Sequence, residues 1–287
     1  MNSLLAARAK FHQDLAREIL HLTHTTKHGW NARNADASNT ASKAIANCLA
    51  ANLGAPRGGK IAGQTVGHKF EEITADFLRD CLSSIDHLQP GIWKTERETS
   101  RSPLVIARFS QYSHLRDVYE ASKDNPDLAA VLGRDYSVAS DVLIYRERLT
   151  DLDINSKTEF VSAAHVGRDH LRQASAEAPY LQASISCKWT IRSDRAQNTR
   201  TEALDLIRKR KGRVPHIVAV TAEPLPSRLS SLCLGTGDLD CVYHFALPEL
   251  VSAVASIGQS EASDLLKLMI ASGRIKDIAD LPFDLLL

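Results

Sequence analysis

Apolar residues recur along the chain in two rhythms. Between 68 and 86 they fall three or four apart, so that Phe70, Ile73, Phe77, Cys81 and Ile85 share one stripe. That is the period of an amphipathic helix. Between 183 and 189 they alternate, with Ala183, Ile185, Cys187 and Trp189 on one side and Ser184, Ser186 and Lys188 on the other. That is a strand with one apolar face. Apolar runs at 141–146 (DVLIYR), 214–221 and 241–247 predict three more strands. Helices are expected at 4–20, 41–53, 112–122, 198–211, 248–257 and 261–271, with a short one at 125–132. Residues 28–40 (HGWNARNADASNT) read as a loop, 54–59 as a turn, and 150–180 as irregular chain. Strands interleaved with helices predict an α/β fold, a mixed β-sheet flanked by α-helices. No linker-like stretch divides the 287 residues, so one domain is expected, closed by the helices after 248.

Composition narrows the class. The chain is 44% hydrophobic and 24% charged, which suits a globular protein with a core and excludes a disordered one. No apolar run approaches the ~18–20 residues that span a bilayer, and the N-terminus lacks the h-region of a signal peptide, so no membrane partner is expected. Five cysteines (Cys48, Cys81, Cys187, Cys233 and Cys241) with no C-x-x-C point to a reducing, cytoplasmic setting.

Lys+Arg is 35 against 34 Asp+Glu, a net charge of +1 that excludes a uniformly basic protein. The sum hides segregation. From 186 to 213 there are nine basic residues (Lys188, Arg192, Arg195, Arg200, Arg208, Lys209, Arg210, Lys211, Arg213) and three acidic ones (Asp194, Glu202, Asp205). From 222 to 287 four basic residues face nine acidic ones, and this acidic third is expected to point away from a polyanionic partner. The run at 208–213 also suits a solvated helix end. Arg192 and Arg195 follow a strand in an expected loop, where forked guanidiniums can reach outward.

Some polar residues stand where the pattern asks for apolar ones. Asp141 opens a strand, and Lys188 shares a strand face with Ser186. A buried lysine there needs carboxylates. Helical phase puts Glu71 in line with Ala75, Leu78 and Leu82, and Glu202 beside Ala203, Leu206 and Ile207. By the same phase Glu72 and Asp205 face solvent. Three carboxylates and a lysine converging near a sheet would suit Mg²⁺ and phosphodiester chemistry. Each carboxylate taken singly suits an ordinary ion pair as well.

Asp141, the stretch Ser184-Ile-Ser-Cys-Lys-Trp189 and Glu202 together resemble the signature of type II restriction endonucleases of the PD-(D/E)xK superfamily. They are most similar to the branch in which the middle carboxylate has moved. The usual D/E-x-K reads Ser186-Cys187-Lys188, and Glu202 stands fourteen residues after the lysine. Further similar stretches are NADxSNT at 34–40, GQT at 63–65, KGRxPHIV at 211–218, TAEPxPSR at 221–228 and GTGxxDCVYHFAL at 235–247. Ser140 stands where the motif has proline.

The resemblance implies a restriction-endonuclease-like core at about 65–250 and a Mg²⁺-dependent cut in double-stranded DNA. It implies that Asp141 and the backbone carbonyl of Cys187 bind the metal, with Glu71 and Glu202 completing the acidic cluster. Lys188 would hold the attacking water and Ser186 support it. Arg192, Ser193, Asp194 and Arg195 would read the inner CCGG, since arginine forks match guanine and aspartate accepts from cytosine. Asp36, Ser38 and Arg228 would read the outer G·C pair, and Gln64 would touch the minor groove. An Asx turn is the alternative role for Asp36 and Ser38. The implied site is GCCGGC, cut after the first G to leave four-base 5′ overhangs. The implied assembly is a homotetramer, a dimer of dimers. Cys187 as a nucleophile, a DNA-binding protein that does not cut and a repair nuclease on the same fold are the rival readings.

Overall fold

The structure is a computed structural model that describes residues 3–27, 29–59, 61–89, 91–100, 102, 104–123, 140–164, 167, 171–175, 178–235 and 237–287. The short helix expected at 125–132 lies outside the described residues. In chain order α1 (Leu4–Glu18) leads into a hairpin of β1 (Leu22–Thr25) and β2 (Gly29–Ala32), then α2 (Thr40–Asn52) and α3 (Gly63–Ile85). After β3 (Trp93–Arg97) come α4 (His114–Lys123), β4 (Val142–Arg146) and β5 (Tyr180–Lys188). Next are α5 (Ser193–Lys209), β6 (His216–Thr221), α6 (Pro226–Cys233) and β7 (Cys241–His244). The chain closes with α7 (Leu247–Ile257), α8 (Ser260–Ala271) and β8 (Ile275–Asp277), followed by one helical turn.

Strands β3 to β8 lie side by side in that order in one sheet. β4 pairs antiparallel with both β3 and β5, and β5 through β8 are parallel. The expected mixed α/β architecture is present. Strand β6 is buried along nearly its whole length, as a central parallel strand covered on both faces must be. Helix α3 crosses one face on Phe70, Ile73, Phe77 and Cys81, the stripe read from its period. Helix α5 covers the other through Ala203 and Leu206. One continuous cluster of buried apolar side chains runs from Phe11 to Leu285.

Several elements differ from expectation. The hairpin β1–β2, the edge strands β3 and β8, and helix α6 were not signalled by periodicity. β3 (WKTER) is polar because an edge strand meets water along one side. β8 is only three residues long. Helix α6 begins at Pro226, a residue suited to a first helical turn but equally to a loop. Helix α3 also starts a turn early, so Gln64 is an exposed residue of its first turn rather than of a loop. Helix α5 starts at Ser193, with Arg192 extended at its N-cap, so Ser193, Asp194 and Arg195 form a helical first turn. Asp194 there complements the helix dipole, a local signal that outweighs the missing apolar period.

Several carboxylates of the acidic C-terminal third are paired within the fold, while Glu261, Asp264 and Asp280 are exposed. Glu249 and Asp277 both clamp Arg8 of α1, at 2.6–2.9 Å. Asp238 holds Arg200, Asp240 faces His216 and Asp284 holds Lys276. The basic run at 208–213 is partly helix-end structure, with Lys209 on Asp205 and Arg210 donating to the Ile207 carbonyl.

Candidate active site and DNA-reading cleft

Because β4 runs antiparallel to β5, the start of one meets the end of the other. That register places Asp141, just before β4, beside Lys188, the last residue of β5. Asp141 is 2% exposed. Its Oδ2 accepts from Lys188 Nζ at 2.9 Å and from the Cys187 backbone N–H at 2.8 Å. Within a strand, one residue's N–H and C=O both face the same neighbouring strand. The Cys187 carbonyl therefore lies on the Asp141 side, beyond the last rung of the β4–β5 ladder. Burial pulls the Lys188 pKa down, but Asp141 and Glu202 outweigh it and hold the ammonium above its ordinary value.

Glu71 approaches from the α3 face, 7% exposed, while its neighbour Glu72 is exposed on Lys69. Burial raises the Glu71 pKa, and the charge of Asp141 raises it further. Arg97 of β3 donates from Nε to Glu71 Oε2 at 3.1 Å. Sequence reading missed Arg97 because β3 itself was not legible.

Glu202 approaches from the α5 face. It lines a void of about 10 Å³, the size of one water, with Ser140, Ser184, Ser186 and Thr199. The buried Ser186 hydroxyl oxygen has no hydrogen-bond partner among the described residues. Glu71 and Glu202 thus flank the strand ends from opposite faces. Among the described residues no group of three or more His, Cys, Asp or Glu side chains forms a metal cage. The expected convergence is therefore looser than a ligand triad, because Lys188 and Arg97 occupy carboxylate oxygens. The donor set still fits a hard divalent cation. Carboxylate and peptide oxygens are its preferred ligands, and two buried carboxylates that repel one another are what a dication relieves.

Cys187 points the other way from Lys188. Its thiol lies against Thr74 and near Glu71 on the α3 side, and burial pushes its pKa well up. A nucleophilic cysteine needs the opposite shift. Cys187→Ala is expected to keep cleavage within about threefold of wild type, since the buried thiol points away from Lys188. A plasmid-nicking time course checks this; a loss of activity comparable to that of a missing nucleophile would show that the thiol is used.

Four of the eight residues implied for base reading gather in an open cleft of about 510 Å³. Asp36, Ser38, Arg192, Gln197, Arg200 and Arg228 line it. Asp36 makes the Asx turn, accepting from Ser38 N–H at 2.9 Å and Ser38 Oγ at 2.6 Å, and also receives Arg228. The Ser38 bonds first, then Arg228, hold the Asp36 pKa down at about 2. The Asx turn expected as the alternative for Asp36 and Ser38 is present, and it leaves Asp36 in contact with Arg228. Exposed Arg195 rests on the Thr190 carbonyl and hydroxyl, and exposed Asp194 sits one residue before it. Gln64 and Arg195 are outside the residues lining this cleft.

Comparison with known proteins decides the family. The chain matches the NgoMIV restriction enzyme family over residues 11–287. The chain belongs to that family. It is 47% identical over 256 residues, 88% of each chain, to the Type II restriction enzyme NgoMIV of Neisseria gonorrhoeae. Membership of the NgoMIV restriction enzyme family makes the chain a type II restriction endonuclease, a site-specific deoxyribonuclease whose substrate is DNA. Enzymes of this class generally use a divalent metal. Among the described residues no helix is long and apolar enough to cross a membrane.

Proposed function

We propose that this enzyme recognises GCCGGC in double-stranded DNA and cuts after the first G with Mg²⁺, leaving 5′-phosphate ends and four-base 5′ overhangs. The observation that carries the reading is the Asp141–Lys188 pair at the strand ends, four residues before an arginine-lined cleft. Asp141 and the Cys187 carbonyl would hold the ion, with Glu71 and Glu202 acting through its waters. The ion supplies polarisation of the scissile phosphate and a water of lowered pKa. Lys188 Nζ orients the attacking water and offsets the charge that grows on the phosphorus-bound oxygens. Ser186 supports that water from the β5 face it shares with Lys188.

Arg192 in the cleft and Arg195 beside it take guanine O6 and N7, while Asp194 accepts from cytosine N4. Ser193 carries their turn. Asp36, Ser38 and Arg228 read the outer G·C pair, and Gln64 at the start of α3 reaches the minor groove. A palindromic site calls for a two-fold dimer, and the family resemblance supports a dimer of dimers. The whole of 1–287 acts as one domain in the cytoplasm of a prokaryote, whose own DNA a cytosine methyltransferase protects.

The test is digestion of plasmids of known sequence with Mg²⁺ and with EDTA, followed by sequencing of the ends. Cutting is expected only with the metal and only at GCCGGC, with CCGG overhangs. Cuts scattered over unrelated sequences would overturn the site assignment.

A further inference from the structure

We infer that Glu223 is a positioning residue that couples the inner and outer base readers to one another. The inference rests on the proposed reading of Arg192, Asp36, Ser38 and Arg228 as DNA contacts. Glu223 follows β6 and is wholly buried beneath the cleft. Its Oε2 accepts from the Ile191 N–H at 2.8 Å, the peptide that leads directly into Arg192. Its Oε1 accepts from the Leu225 N–H at 3.1 Å, at the N-cap of α6, the helix that carries Arg228. Arg228 Nη1 lies 3.9 Å from Oε2, while its Nη2 holds Asp36. Next to Glu223, the Ala222 carbonyl accepts from Asn34 Nδ2 at 2.8 Å, which ties down the loop bearing Asp36 and Ser38.

The carboxylate thus ties the peptide before Arg192 to the start of α6, and the carbonyl of the residue before it ties down the 34–38 loop, so that the two together join the three segments of the cleft. Burying a carboxylate is costly unless its oxygens are satisfied, and here both are bonded to main chain that aims a reader. Burial raises the Glu223 pKa to about 7, against the pull of its two backbone donors. The arrangement fixes the inner and outer arginines relative to one another, and both oxygens of Glu223 are taken by the Ile191 and Leu225 peptides rather than by Asp141 or Lys188. Removing the carboxylate should therefore loosen both readings together and leave the chemical step in place.

The experiment begins by letting the wild type select its site from a random DNA pool. Cleavage of that site, of one changed at the outer pair and of one changed at an inner pair is then measured for each variant. Glu223→Gln keeps one carbonyl oxygen but cannot accept from both peptides. It is expected to lower discrimination at the outer and the inner pair by about tenfold each, or about 1.4 kcal/mol. Its single-turnover rate on saturating cognate DNA is expected to stay close to wild type. Arg228→Ala, the single-reader control, is expected to lower outer discrimination alone. Glu223→Asp keeps the charge but withdraws it, and is expected to show the same paired loss should the glutamine variant fold poorly. Loss at one pair only, unchanged discrimination, or a slower chemical step with unchanged discrimination would overturn the inference. A wild type that selects no sequence, or an Arg228→Ala enzyme that discriminates as wild type does, would sink the reading of the cleft itself.

Discussion

Lys188→Ala is expected to abolish DNA cleavage while leaving specific binding intact. Lys188 Nζ sits 2.9 Å from Asp141 Oδ2, with its side chain 17% exposed at the open end of the strands. A fixed cation at that point acts on charge that develops only as the phosphodiester is attacked. Deleting such a group costs about 10²–10³ in rate when it is one hydrogen-bond donor. In the proposed mechanism Lys188 also orients the water, so a loss of at least about 10³ is expected. Arginine is not expected to rescue it, because a planar fork cannot occupy the position of a compact ammonium. Binding is expected to persist because the readers lie on α5, α6 and the 34–39 loop. A gel-shift titration with Ca²⁺, run beside a single-turnover cleavage assay with Mg²⁺, separates the two effects. Cleavage within tenfold of wild type would show that a different group holds the water.

The second large effect concerns the fold beneath the site. Phe70 is fully buried, one residue before Glu71, and its ring meets Trp189 edge-on with centroids 5.3 Å apart. Trp189 follows Lys188 directly and also packs on Phe245. Phe70→Ala removes the ring that seats α3 on the end of β5. Such truncations cost about 3–5 kcal/mol, a large share of a total near 5–15 kcal/mol. The melting temperature is expected to fall by roughly 10 °C in a chain of this size. Phe70→Leu is expected to recover about half of that loss, because most of the buried area returns without the ring contact. Thermal melts followed by circular dichroism measure both. A melting temperature within about a degree of wild type would mean that α3 does not depend on this contact.

How much of this was legible in the sequence depends on where each residue sits. The apolar stripe of α3 singled out Glu71 as the inward carboxylate and Glu72 as the outward one, because helical phase is a local property. Alternation in β5 likewise separated the Cys187 face from the Lys188 face. Edge strands carry no such mark, since half of their surroundings is water, and Arg97 was lost along with β3. The start of α5 was misplaced because its first turn is specified by capping and dipole rather than by apolar period. Glu223 was invisible for a different reason. Its burial comes from three segments closing over it, and no single segment's pattern records that. One trace was there to be read: Glu223 is the sole Asp, Glu, Lys or Arg between Arg213 and Arg228. A lone charge in so apolar a stretch marks a buried ion with assigned partners.

The clamp of Arg8 on Glu249 and Asp277 has a consequence for the timing of activity during synthesis. It joins groups 241 and 269 residues apart. The bond from Asn34 to Ala222 spans 188 residues, and the pair Arg228–Asp36 spans 192. Contacts of such long sequence separation form late, after the loops between them have closed. The cleft lined by Arg192 and Arg228 therefore has no floor until residue 228 has been made, and α1, though it packs on α3, has no clamp for Arg8 until Asp277 has been made. A chain made only as far as residue 190 carries Asp141 and Lys188 without Arg192, Arg228 or the carboxylate of Glu223. On the proposed reading, recognition would thus become possible only when the polypeptide is nearly complete.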